Sequence, residues 1–179
     1  VFCQLTAAVL PAAGPPAPPD AEIAAVYGLS AEDLLGGEYA PLGYSCGVPF
    51  LFVPLKNRAA LARIRLDRER WERVLSGWWA KEAFLFSFDP EWPGSDLRAR
   101  MFAPALGIPE DPATGAAAAA LAGYLGARQA RNRWVVEQGF EMGRPSILEI
   151  EVDRAPGGAV SAVRVGGASV LVTEGWLEV

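Results

Sequence analysis

MFAPALGIPEDPATGAAAAALAGYL, residues Met101–Leu125, decides how this chain folds. An acidic residue and a small, glycine-containing turn come immediately before an alanine-rich helix. No charge occurs from Ala113 through Ala127, and the first one is Arg128. A surface helix of that length shows a polar stripe, so this one is predicted to be buried on most faces. Its side chains are nearly all alanine and glycine, with Leu121, Tyr124 and Leu125 as the bulkier members, which lets a sheet close tightly around it. A membrane span needs about 20 strongly apolar residues, and this stretch is short and interrupted by glycine. Arg128, Arg131 and Arg133 follow its end, where positive charge suits the helix dipole.

The turn itself reads as an anion-binding, proton-handling site. The first N–H groups of a helix have no intrahelical partner and carry partial positive charge. Those of Thr114, Gly115 and Ala116 are therefore suited to a carboxylate. Gly115 lets a ligand approach the backbone closely, and Asp111 can gain or lose a proton. The structural alternative is a helix cap: Asp111 at the N-cap with Pro112 at the first helical position, or Thr114 as the cap instead.

Composition bounds the rest. A chain of 179 residues is one domain by the usual range of about 100–200, and its apolar fraction of 51% suffices for a core. A net charge of −5 counts against nucleic acid as a partner. Cys3 and Cys46, with no histidine to join them, make no zinc site. They are read as reduced thiols of a cytoplasmic chain, with a disulfide between them as the alternative. Val1–Leu10 is apolar but lacks the basic leading region of a signal peptide.

Along the chain, Pro11–Pro19 is proline-dense and reads as a connecting loop, since proline cannot donate to a central ladder. Asp20 is expected to cap a helix through Tyr27, and Ser30–Asp33 resembles a capping box. Tyr39–Ser45 and Phe50–Leu55 read as strands. Asn57 and Asp67 are expected to cap helices ending at Ile64 and Gly77. Six arginines (Arg58, Arg63, Arg65, Arg68, Arg70 and Arg73) alternate there with acids, near Trp71, Trp78 and Trp79. We read a solvated helix face with ion pairs, the tryptophans packing inward or into a subunit contact, in preference to a nucleic-acid surface. Further strands are expected at Phe84–Phe88, Leu97–Pro104, Trp134–Phe140, Ser146–Val152, Val160–Val165 and Ser169–Thr173. Pro156–Gly158 and Gly166–Gly167 are expected to be turns. An ion pair of Glu141 with Arg144 would fix the Gly139–Pro145 bend.

Read together, several of these strings resemble the PhzF-like family, the phenazine-biosynthesis isomerases related in fold to diaminopimelate epimerase. They are Arg100–Pro104 with Gly107 and Glu110–Gly115, Gly47–Leu55 (GVPFLFVPL), Gln138–Ser146 (QGFEMGRPS) and Val165–Gly167. The resemblance implies an α+β fold, a mostly antiparallel β-barrel wrapped around a central helix, repeated in two domains with the active site between them. The implied activity is an isomerase or epimerase reaction, a proton shift on a small cyclic amino acid without metal or organic cofactor, in a homodimer. The family places an aspartate at Asp111, facing the substrate, and backbone amides with a serine hydroxyl just beyond. That serine position is Ala116 here, so one donor is missing. Gly47–Pro49 lies where the related epimerases carry a substrate-binding asparagine, and Gly47 is taken as a substrate-binding position. The family's catalytic glutamate and Gly-His pair belong to a first half that this chain does not resemble. We therefore read residues 1–19 as a strand and connection from that half, and 20–179 as the second domain. Trp176–Val179 would pair with the missing half. The partners implied are a small carboxylate substrate and that missing half. The rival reading is a non-catalytic carboxylate-binding or interaction domain of the same fold.

Overall fold

The computed structural model describes residues 1–177. The strands are β1 (Phe2–Thr6), β2 (Ala12–Ala13), β3 (Leu42–Ser45), β4 (Pro49–Leu55), β5 (Glu82–Ser87), β6 (Leu97–Ala103), β7 (Ile108–Asp111), β8 (Arg133–Gln138), β9 (Ser146–Arg154) and β10 (Val160–Ala168). The helices are α1 (Asp20–Val26), α2 (Arg58–Arg63), α3 (Arg68–Val74) and α4 (Gly115–Gly126). All the strands join one sheet in the order β1-β10-β9-β8-β6-β5-β4-β3-β2, with β7 on β6. Pairing is antiparallel except for β4 with β5 and β6 with β8. The sheet's two edge strands, β1 and β2, are consecutive in the chain, so Ala7–Pro11 spans the opening and the sheet curls into a half-barrel.

Helix α4 lies inside that curl. It packs on β2, β3 and β4 from one side and on β9 and β10 from the other. Parallel neighbours need a crossover, and α4 is the crossover between β6 and β8. The alanine run is what lets it pass through the curl. A Cβ on Gly123 would lie 2.4 Å from Pro11 Cβ and 2.8 Å from the Tyr44 ring. Tyr124 is fully buried in the curl, edge-on to Tyr44 and Phe86, and its hydroxyl donates to the Ala40 carbonyl at 2.8 Å.

A second core lies outside the barrel. Strand β4 is buried on both faces, which is why it reads as a continuous apolar run. Phe50 and Phe52 point toward α4, whereas Leu51, Val53 and Leu55 pack under α1, α2 and α3 with Ile23, Leu61 and Leu75. Each such side chain contributes about 1.5–3 kcal/mol by leaving water. Trp71 turns into this layer and donates from Nε1 to the Lys81 carbonyl, while Trp79 remains 40% exposed. The arginine-rich face carries ion pairs of Arg63 with Asp33 and Arg70 with Asp67.

Several expectations are corrected. Asp20 is the first residue of α1 and Pro19 stands at the cap; no side chain caps that helix. Ser30–Asp33 does form a capping box, the Asp33 carboxylate accepting from the Ser30 N–H, but it opens only a short 3-10 turn over Ala31–Asp33. Asn57 and Asp67 do cap their helices, by accepting from Ala60 and Arg70 N–H, but α3 ends at Val74, where Leu75 and Ser76 both donate to the Trp71 carbonyl and Trp78 donates to that of Leu75 in a turn. Pro11–Pro19 includes the edge strand β2, which pairs with β3 on one side only, where proline is tolerated. Gly166 and Gly167 are not a turn. They continue β10, pairing with Gln4 and Cys3 of β1, and a Cβ on Gly166 would lie 2.7 Å from the Phe2 ring. The expected strand at Ser169–Thr173 is consequently absent: residues 169–177 leave the sheet, with Val170, Leu171, Val172 and Trp176 exposed. Of the expected terminal strand at 176–179, residues 176 and 177 join no sheet, and the remainder lies outside the described residues. Glu141 pairs not with Arg144 but with Arg98, at 3.0 Å. Arg98 is buried among Glu91, Glu137 and Glu141 and lies 4.1 Å over the Phe140 ring, so the more strongly desolvated guanidinium takes the acid. The two cysteines are free thiols.

Candidate functional site

Strand β6 delivers the chain to the Asp111 turn. Met101 pairs with Asp111, so the acid ends β7 against β6. Its neighbour Glu110 holds Arg100 through two bonds of 2.8 Å, and Arg100 also donates to the Leu61 carbonyl at 2.9 Å. A buried, bidentate pair of this kind pins the strand firmly just before the turn.

Asp111 is half-buried, and neither it nor Thr114 caps α4 with its side chain. Thr114 stands at the N-cap position, but its hydroxyl reaches backward and donates to Asp111 Oδ2 at 2.5 Å. The cause lies on another strand. Gln138, the last residue of β8, is fully buried beneath the turn. Its Oε1 accepts from the Thr114 N–H at 3.1 Å, and its Nε2 donates to the Asp111 carbonyl at 2.6 Å and to Thr114 Oγ1 at 2.9 Å. The Thr114 amide is thus already satisfied from within the protein. Gly115 and Ala116 differ. Both are exposed, and among the described residues their N–H groups have no acceptor.

Gly115 and Ala116 line a cleft of about 410 Å³ whose wall also includes Leu5, Cys46, Ala119 and Val165. A neighbouring cleft of about 500 Å³, sharing Val165, is lined by Ala113, Cys3, Ser146, Gly166 and Ser169. Asp111 and Gly47 lie in the wall of neither. Gly47 sits in a bend at φ +117°, next to Cys46, and donates its N–H to Ser45 Oγ. In space Cys46 does meet the start of the central helix, which sequence order did not reveal. Burial pushes its thiol pKa up to about 11, so it is a poor nucleophile at neutral pH.

Gly139 closes the construction. It has φ +79°, and a Cβ there would lie 2.3 Å from the Arg144 carbonyl and 2.8 Å from the Pro112 carbonyl. Only glycine lets the 139–144 bend press against the Asp111 turn. From sequence, Gln138 and Gly139 belong to the QGFEMGRPS string, and nothing local connects either of them to the Asp111 turn. The available signal was a polar residue closing an apolar strand directly before a glycine. Among the described residues, no group of three or more His, Cys, Asp or Glu side chains is placed to hold a metal ion. Among the same residues, no helix is long and apolar enough to cross a membrane.

Comparison with known proteins agrees with this architecture. Residues 3–175 match the family described as phenazine biosynthesis-like protein, PhzC-PhzF. An uncharacterized isomerase from Mesorhizobium japonicum is 34% identical over 162 residues, which is 87% of this chain and 53% of that protein. A trans-2,3-dihydro-3-hydroxyanthranilate isomerase from Pseudomonas aeruginosa is 35% identical over 154 residues, 82% of this chain and 51% of that one. The chain thus spans about half the length of the curated relatives it matches. Among solved structures, a PhzF-family phenazine biosynthesis protein from Bacillus anthracis superposes with a TM-score of 0.82 at 21% identity, over 93% of this chain and 57% of that one. A predicted epimerase from Pseudomonas aeruginosa superposes at 0.66 with 30% identity, over 96% and 59%. With the curled sheet, the encased helix and the sequence match in accord, the chain belongs to the phenazine biosynthesis-like (PhzF) family.

Proposed function

We propose that this chain is the second domain of a two-domain isomerase that moves a proton on a small, cyclic amino acid without metal or organic cofactor. One observation carries the reading: Gly115 and Ala116, whose amides have no acceptor among the described residues, line a cleft at the start of an encased helix, a few positions after the half-buried Asp111. The amides of Gly115 and Ala116 hold the substrate carboxylate, aided by the helix dipole. Asp111 accepts a hydrogen bond from the substrate's amino or hydroxyl group. A glutamate from the first domain takes a proton from one substrate carbon and returns it to another. Closure of the first domain over the cleft excludes water and strengthens each of these interactions. The working protein is a cytoplasmic homodimer.

Thr114 makes no direct contact in this scheme, since its N–H is donated to Gln138 and its hydroxyl to Asp111. Gly47 enters by shaping the bend that sets Cys46 in the cleft wall. The test is Asp111→Asn in the full-length protein. Turnover should fall at least a hundredfold with the fold intact by circular dichroism, whereas unchanged turnover on the true substrate removes Asp111 from the reaction. Ala116, which offers no hydroxyl where the family has a serine, favours a second reading, a carboxylate-binding domain without turnover. In that case the full-length protein binds small cyclic amino acids and releases them unchanged.

A further inference from the structure

We propose that Gln138 is a positioning residue for Asp111, acting through the Thr114 hydroxyl. Its effect on turnover rests on the isomerase reading above; its effect on geometry does not. The directions of the hydrogen bonds follow from one fixed donor. The Thr114 backbone N–H can only donate, so the Gln138 atom it meets is the carbonyl Oε1. The other end of the amide is then Nε2, which donates to the Asp111 carbonyl and to Thr114 Oγ1. Having accepted there, the Thr114 hydroxyl turns its own proton to Asp111 Oδ2. Of the four hydrogen bonds that join Gln138, Thr114 and Asp111, three are made by the completely buried Gln138 side chain, 24 residues from Thr114, and they direct the fourth.

The consequence is an asymmetric carboxylate. Oδ2 is committed to Thr114, and among the described residues Oδ1 has no partner and is left to address a ligand. A surface carboxylate beside a glycine-containing turn would sample several rotamers. This one is held in a single orientation by an uncharged relay that adds no competing charge near the amides of Gly115 and Ala116. Gly139 reinforces the relay from below, because its missing side chain allows the end of β8 to contact Pro112.

The experiment uses the full-length protein with Gln138→Glu, Thr114→Val and Thr114→Ser. Gln138→Glu keeps an acceptor for the Thr114 N–H but deletes the Nε2 donor, so the Thr114 proton is drawn back to the new carboxylate. Thr114→Val keeps the shape and deletes the relay. Both should lower kcat about 10–100-fold while KM moves less than about threefold, as expected for a misplaced catalytic group. Thr114→Ser, which restores the hydroxyl, should stay within about twofold of the parent. In an Asp111→Ala background Thr114→Val should cost less than about twofold further, because the residue it serves is gone. An equal loss in both backgrounds overturns the proposal. Crystal structures of Gln138→Glu and Thr114→Val decide the geometry independently of activity. The Asp111 carboxylate should rotate or split while the backbone of 111–116 stays in place. A carboxylate that keeps its parent position in both variants overturns the proposal. Absence of any turnover in the parent protein refutes the isomerase reading alone and leaves the crystallographic answer standing.

Discussion

The two ends of α4 are finished in opposite ways. At the C-terminal end every available carbonyl has been claimed. Arg128 donates to the Tyr124 carbonyl at 2.7 Å and lies 3.7 Å over the Tyr124 ring. Arg154 reaches in from β9 and donates to the carbonyls of Gly126, Gln129, Arg131 and Gly158. Two cations at the negative end of the dipole are the stable arrangement. At the N-terminal end only the Thr114 amide is satisfied internally, and those of Gly115 and Ala116 stand open to a cleft. The same helix is thus sealed where it serves stability and unfinished where the proposed reaction would place a ligand. Leaving polar groups of a helix end unpaired carries a cost, which the proposed carboxylate contact would offset.

This contrast can be broken at either end. The largest effect is expected from Gly139→Ala, which forces a Cβ against two backbone carbonyls at positive φ. It should destabilise the protein by about 3 kcal/mol or more and be visible as a lowered midpoint in urea. An unchanged midpoint would mean that the turn is not braced from β8. At the sealed end, Arg154→Met removes the donors for four carbonyls and should cost about 2 kcal/mol in the same measurement, with ligand affinity unchanged. A loss of affinity without loss of stability would reverse the roles assigned to the two ends.

The open end also makes a chemical prediction. Exposed Cys3 should be alkylated by iodoacetamide at pH 8 at least tenfold faster than half-buried Cys46, whose pKa of about 11 leaves almost no thiolate. The Cys46 rate should rise about tenfold per pH unit until the pH nears that value. Peptide mass spectrometry gives both rates, and comparable labelling of the two thiols would show that the cleft wall is far more open than described. The smallest effect is expected from Arg128→Met. Arg154 still covers this end, so the loss should be about 1 kcal/mol.

The buried arginines follow the same logic as the helix ends. Arg98 and Arg100 are neighbours on the same apolar strand, and each finds acids contributed from elsewhere: Glu137 and Glu141 for the first, Glu110 for the second. Arg100 steadies β7 ahead of Asp111. Arg98 ties the end of β8 to the 139–144 bend, the same bend that presses on the turn. Sequence reasoning joined Glu141 to Arg144 because they are close in the chain. The structure joins it to Arg98, because burial raises the cost of an unpaired guanidinium far more than proximity lowers the cost of an exposed one.

What the sequence determined by itself was whatever local chemistry encodes. The charge-free alanine run from Ala113 to Ala127 declared an encased helix, the apolar run Phe50–Leu55 declared a strand, and Asn57 and Asp67 declared helix starts. Four short strings in the right order were enough to point to the family. Tertiary structure alone decided the partners. Gln138 meets Thr114 because β8 lies parallel to β6 in one register. Gly166 and Gly167 continue a strand because the Phe2 ring packs against Gly166. Cys46 reaches the helix start because β3 lies beside it. Periodicity and caps report how a residue relates to its own few neighbours. The direction of a hydrogen bond between residues 24 apart depends on which strands become adjacent, and that is fixed only when the whole sheet has curled.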